Sequence, residues 1–297
     1  MSPVIQIERL GTQRCKVGEG PLWDVATQQL YFVDVLDQTL WRHDPATGDF
    51  SHWQMPSCIG ALALSRRGDA IVALADGLHR FEFDSGRLTR LQTLDDPNAE
   101  VQCNDGNVDP RGRFIVGTVP RSLHDHRPIG QALCFHPDRR CETLDDGFNI
   151  TNGPSWTADG KTFYFSNSRA KTIYAYDYDP EQGRVSRKRV FADTTAFGGM
   201  PDGATVDCRD HLWVAICEGG KVVCYRPDGT VERVIDMPTP LVGSVMFGGP
   251  RLDRLYVTTL NGAALGLGFA DDGLGGGLFV IDGLGTQGVP EPRFAAD

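Results

Sequence analysis

Six residue–glycine pairs recur along this chain, each beside an inner-strand candidate: Glu19-Gly20, Ile59-Gly60, Asp105-Gly106, Asn152-Gly153, Asp202-Gly203 and Val242-Gly243. The intervals are 40, 46, 47, 50 and 40 residues. A recurrence of that length, with four strand-like segments per unit, is the signature of a β-propeller, whose equivalent positions converge on one central channel. The expectation is an all-β chain, a six-bladed β-propeller with four-stranded antiparallel blades, forming one domain over residues 1–297. Four of the six recurring positions carry side-chain oxygens, which suit a hard divalent cation.

The strands are legible within each unit. Second strands read as Leu30 to Asp34, Ala70 to Ala73, Arg113 to Gly117, Thr162 to Ser166, His211 to Ala215 and Leu255 to Thr258, all rich in β-branched or aromatic residues. Third strands follow at Leu40 to Asp44, Leu78 to Glu82, Ala132 to His136, Ile173 to Asp177, Val222 to Tyr225 and Leu278 to Ile281. Each unit ends in a more polar strand, as an outer edge should. Val4 to Leu10 is expected to complete the last blade and remove an open sheet edge. In an up-and-down blade the start of the first strand, the end of the second and the start of the third share one face. The connections between second and third strands should therefore surround the same mouth. Two of them are long, Thr118 to Gln131 and Thr259 to Gly276.

Composition excludes several partners. A formal charge of −10 and the absence of a basic cluster argue against nucleic acid or an anionic membrane surface. A small molecule or a cation fits better. Eight cysteines contain no Cys-x-x-Cys pair, which favours reduced thiols over a disulfide framework or a zinc site. The N-terminus lacks a charged stretch followed by an apolar core, and no run of about 18 apolar residues could span a bilayer. A cytoplasmic monomer is the expectation. Gly-x-Ser-x-Gly elbows and nucleotide-binding fingerprints are absent, so serine-hydrolase and kinase chemistry lack support.

Several motifs appear in order at blade spacing: Gly18-Glu19-Gly20-Pro21-Leu22-Trp23, Asn104-Asp105-Gly106, Asn152-Gly153-Pro154, Pro201-Asp202-Gly203, Leu212-Trp213-Val214 and Phe247-Gly248-Gly249. This set resembles the senescence marker protein-30, gluconolactonase and regucalcin family of six-bladed, metal-dependent lactonases, and the resemblance covers essentially the whole chain. It implies that Glu19, Asn152 and Asp202 ligate one divalent ion, whether Ca, Zn, Mg, Mn or Fe(II). It also implies hydrolysis of a sugar-acid lactone, with Asp202 the candidate for activating the attacking water. Asn104 corresponds to the family's substrate-binding Asn. Asp105, at the recurring position itself, is either a structural turn residue or a group behind the ligands.

Departures from the family pattern leave the substrate open. Gln102 stands where many members have Arg, and Arg121 occupies a region where gluconolactone-type members place a carboxylate. Both positions are candidate substrate contacts. The reversed sign at Arg121 suits a lactone that carries its own carboxylate, as aldaric acids form. Two rival readings stay open at this point: a non-catalytic propeller that binds calcium or a protein, and a metal-dependent esterase or organophosphatase on the same fold.

Overall fold

Alternation in the second strand of the fourth unit sets Phe163 and Phe165 on one face and Tyr164 on the other. The computed structural model describes residues 4–295 except 95, 97, 99 and 123. In it, Phe163 and Phe165 pack with Ile115 and Phe148 of the preceding unit, while Tyr164 packs with Ala204 and Val214 of the following one. Both faces are buried. Six such hydrophobic clusters occur, one between each pair of adjacent blades. Each large side chain so buried contributes about 1.5–3 kcal/mol relative to exposure.

The expected architecture is present: six four-stranded sheets of antiparallel strands. Their inner strands are Gly18–Asp24, Ile59–Leu64, Val101–Val108, Thr151–Trp156, Met200–Val206 and Val242–Gly248. Each touches the next in order, and the sixth touches the first, so the sheets form a closed ring. Strand Gln6–Leu10 pairs with Leu278–Asp282, so the N-terminal segment supplies the outer strand of blade 6. Among the described residues the sole helical piece is a 3-10 turn, Thr195–Phe197, and no helix is long and apolar enough to cross a membrane.

Several strand boundaries differ from the sequence reading by a residue or two, and one by three. The second strand of blade 3 runs Phe114–Pro120, three residues past Gly117. Val101, Gln102 and Cys103 extend the inner strand and pair with Pro120, Val119 and Thr118, which draws those residues out of the expected loop.

The end of the channel away from the recurring pairs is fastened by hydrogen bonds. Just past each of three inner strands, or at its last residue, lies a buried carboxylate with several donors. Asp24 accepts from Ala26 N, Thr27 Oγ1 and Arg293 Nη2. Asp109 accepts from the Arg111 and Arg113 backbones, from Arg113 Nε at 2.7 Å and from Tyr178 OH at 2.6 Å. Asp207 accepts from the Arg209 and His211 backbones, Trp213 Nε1 and Thr286 Oγ1.

A C-terminal strap, residues 286–295, then crosses this end. Gln287 and Gly288 bond to Cys208 and Leu252 of blades 5 and 6. Glu291 accepts from Asn107 Nδ2 at 3.0 Å on blade 3. Arg293 holds Asp24 and the Ser65 carbonyl on blades 1 and 2, and Phe294 is buried between blades 2 and 3.

Candidate active site at the channel mouth

At the opposite end every inner strand carries one extra residue relative to its partner. The slips fall at Glu19/Leu22, Ile59/Ala61, Cys103/Gly106, Asn152/Ser155, Pro201/Ala204 and Val242/Ser244. A bulge re-aims a side chain out of the ladder. The recurring pairs seen in the sequence are these bulges; Glu19, Asp105 and Asp202 come near enough for their charges to repel, and Asp105 reaches the Gly153 amide next to Asn152.

Glycine is required there by crowding as well as by dihedral angle. A Cβ on Gly243 would stand 2.5 Å from Gly18 O and 2.8 Å from Glu19 Oε1, so blades 6 and 1 meet only where no side chain intervenes. Gly153 adopts φ +62°, and a Cβ on it would lie 3.0 Å from the Asp202 carbonyl. Below these bulges lies a cavity of about 20 Å³, lined by Asp105, Asn107, Pro154, Ala204, Ser244 and Met246 among others.

Glu19, Asp105 and Asp202 are buried, and among the described residues no Lys, Arg or His is paired with any of them. Burial is the main cause that disfavours their charged forms, and repulsion adds to it. Glu19 is held well above the usual carboxylate range by burial, then by Asp202 and Asp105. Asp202 is raised likewise by burial and Asp105. Asp105 is pushed up to about 6 by burial, because the Gly106 and Gly153 N–H groups, each at 2.8 Å, partly offset that cost.

The amides are ordered by direct bonds. Asn104 Nδ2 donates to Thr151 O at 2.8 Å and to Asn152 Oδ1 at 3.0 Å. Asn152 Nδ2 donates to Ser168 Oγ at 2.9 Å. Glu19 accepts only a long bond, 3.3 Å, from its neighbour Gly20 N among the described hydrogen bonds.

The other two candidates sit higher on the rim. Gln102 is half-buried and lies two residues before Asn104, paired with Val119 ahead of the bulge. Arg121 is exposed, with Nε donating to Val101 O at 2.9 Å and Nη2 to Ala75 O at 3.0 Å. Its guanidinium therefore ties blade 3 to blade 2 as well as facing solvent. His124, Asp125 and His126 lie on the exposed loop, where Asp125 pairs with Arg127 rather than with either histidine.

Two neighbours escaped the sequence reading. Cys217, at the end of the second strand of blade 5, hydrogen-bonds Asp202, and burial together with the Asp202 and Glu19 charges raises its thiol far above the ordinary value. Ser168 follows the corresponding strand of blade 4. Both stand at the mouth end of a second strand, so the strand-direction rule could have found them. Among the described residues no three His, Cys, Asp or Glu side chains form a metal cluster. Asn152, an amide, falls outside that group and is held by Asn104 and Ser168.

Fold and mouth together define a six-bladed propeller whose channel carries uncompensated carboxylates at one end. Residues 17–261 match the model of the SMP-30/Gluconolactonase/LRE-like region, and the chain belongs to that family. It is similar to pentonolactonase XacC of Haloferax volcanii, with 37% identity over 97% of each chain. Regucalcin of Xenopus laevis is 30% identical, covering 98% of this chain and 99% of that protein. The structure of a regucalcin from Agrobacterium tumefaciens, described as a calcium-binding protein, superposes with a TM-score of 0.88 at 25% identity over 96% of each chain.

Proposed function

We propose that this protein is a lactonase, a hydrolase of carboxylic ester bonds that opens a sugar-acid lactone, either an aldonolactone or an aldarolactone, to the free acid. The observation that carries the reading is the trio Glu19, Asp105 and Asp202, buried together with no cationic side chain beside them. Buried carboxylates of one sign are costly unless something neutralises them. Family membership and the similarity to a pentonolactonase support the substrate class.

The residues present fit a divalent cation. Glu19 and Asp202 keep lone pairs that no strong protein donor occupies, and Asn152 adds a neutral oxygen; an all-oxygen set suits Ca, Mg, Mn, Zn or Fe(II). Glu19, Asn152 and Asp202 would hold it. When bound, the ion supplies Lewis acidity toward the lactone carbonyl and offsets the local negative charge.

Asp202 takes a proton from the attacking water. Water oxygen adds to the carbonyl carbon, the ring C–O bond breaks, and the ring oxygen takes the proton held by Asp202 and leaves as a hydroxyl, which returns Asp202 to its starting state. Both Asn104 amide protons are engaged by Thr151 O and Asn152 Oδ1, so Asn104 meets a sugar only through Oδ1, as an acceptor from a hydroxyl. Gln102 offers a neutral donor and acceptor at the rim. Arg121, fixed by two carbonyls, pairs with the free carboxylate of an aldarolactone. The buried thiols Cys15, Cys103, Cys134, Cys217 and Cys224 favour a reducing compartment such as the cytoplasm.

The test strips the protein with a chelator, reloads it with single ions, and measures turnover of neutral lactones, aldarolactones, aryl esters and phosphotriesters. Lactone turnover should vanish on chelation and return with the ion. Turnover that survives chelation, or a faster aryl ester or phosphotriester reaction, overturns the reading. Arg121→Ala should erase any preference for the aldarolactone; a marked preference for the neutral compound, unchanged in the variant, rules out that role for Arg121.

A further inference from the structure

We infer that Asn104, Asp105 and Ser168 form a positioning clamp for Asn152, setting the direction of its amide oxygen from both sides. The inference rests on the proposed reading of Asn152 as an ion ligand. It starts from a side chain with freedom to turn: an Asn amide can rotate about its terminal bond, and its two ends differ in chemistry. An Asn152 flipped end for end would point an N–H₂ group where an oxygen is needed.

Blade 3 grips three consecutive residues of blade 4. Asn104 Nδ2 donates to Thr151 O and to Asn152 Oδ1, and Asp105 Oδ2 accepts from Gly153 N. Asp105 is itself anchored, since Oδ1 accepts from Gly106 N at 2.8 Å. Across the amide, Ser168 Oγ accepts from Asn152 Nδ2 at 2.9 Å. Asn104 presents only donors to the Asn152 oxygen, and Ser168 takes the amide nitrogen, so one of the two flipped states is selected. Asn152, Asp105 and Ser168 are all buried, where an unmade hydrogen bond is expensive. Gly60 completes the support. A Cβ there would lie 2.5 Å from Asn104 O and 2.7 Å from Asn104 Cα, so blade 2 presses directly on the backbone of the gripping residue.

Asp105 therefore acts through Asn152. This explains a carboxylate whose two oxygens are both occupied by backbone amides although it stands beside Glu19 and Asp202. Groups that orient a ligand in this way typically change metal affinity by about 10- to 100-fold when removed.

Calcium titrated calorimetrically into the chelated protein reads the clamp without reference to turnover. Asp105→Asn should weaken calcium binding by about 10- to 100-fold, while Glu291→Gln, which removes a carboxylate at the far end of the channel, should leave it unchanged. Asn104→Asp separates direction from charge. It adds a negative charge but replaces the two donors with acceptors, so a clamp predicts weaker binding and a purely electrostatic site predicts tighter binding. Ser168→Ala perturbs the fold least and should cost about fivefold, the worth of one hydrogen bond; it carries the test should either blade 3 variant fail to fold. Unchanged affinity in Ser168→Ala and Asp105→Asn, or tighter binding in Asn104→Asp, overturns the clamp. Wild-type protein that binds no calcium, manganese or zinc, and so resembles Glu19→Gln, overturns the ion site instead. Binding lost in Glu19→Gln and Asp202→Asn but intact in every clamp variant overturns this inference alone.

Discussion

The two ends of the channel are built from the same three strands and carry the same kind of group, yet their carboxylates live in opposite circumstances. Inner strands of blades 1, 3 and 5 place Glu19, Asp105 and Asp202 at one end and Asp24, Asp109 and Asp207 at or just past the other. All six are buried. The far-end three are saturated: Asp109 alone accepts two backbone amides, a guanidinium and a phenol. At the mouth, Glu19 and Asp202 find almost no donors and repel each other. Burial of a carboxylate thus says nothing by itself about function. What distinguishes a fastening from a reactive site is whether the protein supplies the partners.

Four substitutions sharpen or break that contrast. Asp109→Asn strands the buried Arg113 guanidinium, so thermal or urea unfolding should report a loss of about 3–5 kcal/mol. Calcium affinity of whatever remains folded should be unaltered. A mild loss would mean the far end is not the fastening described.

Glu19→Gln and Asp202→Asn should act in the reverse manner. Lactone turnover should fall on the order of 10²–10³-fold, while the ion-free protein should melt higher than wild type because repulsion between buried charges is relieved. Lower melting temperatures for both would show that these carboxylates already have partners.

Glu291 gives the smallest effect. Glu291 sits half-buried on the strap itself, and desolvation there pushes it up to about 7 from its usual 4.5, against one bond from Asn107 that lowers it. A carboxyl raised on folding stabilises in its protonated form; that contribution is complete below about 4.5 and disappears as pH rises through about 7. Between those limits wild type should lose about 2 kcal/mol that Glu291→Gln retains, measurable as diverging melting temperatures. Parallel curves would place Glu291 in open water.

The ring was legible because its signals are local and periodic. Alternation such as Phe163, Tyr164 and Phe165 reports two packed faces wherever it occurs, and each residue–glycine pair marks a bulge that sterics impose on every blade. Glu19, Asn152 and Asp202 could be nominated from these repeats and from motifs resembling those of the family. The grip of Asp105 on Gly153 could not, because it joins residues 48 positions apart whose meeting depends on how closely two blades approach. Cys217 was passed over for another reason. A cysteine in an apolar strand looks like filling, and its sequence neighbours do not disclose that its sulfur faces Asp202. Pro120 shows the limit for boundaries: the strand outlasts its own apolar run because Val101 continues on the other side of the ladder.

The strap has a further meaning for traffic. A tail reaches across the rear of the bore from blades 5 and 6 to blades 1, 2 and 3, which leaves the opposite mouth as the natural doorway for the proposed reaction. On the proposed reading, reactant and opened acid share it, so the acid should compete with its own precursor and the pace of the cycle should follow how fast the vestibule clears.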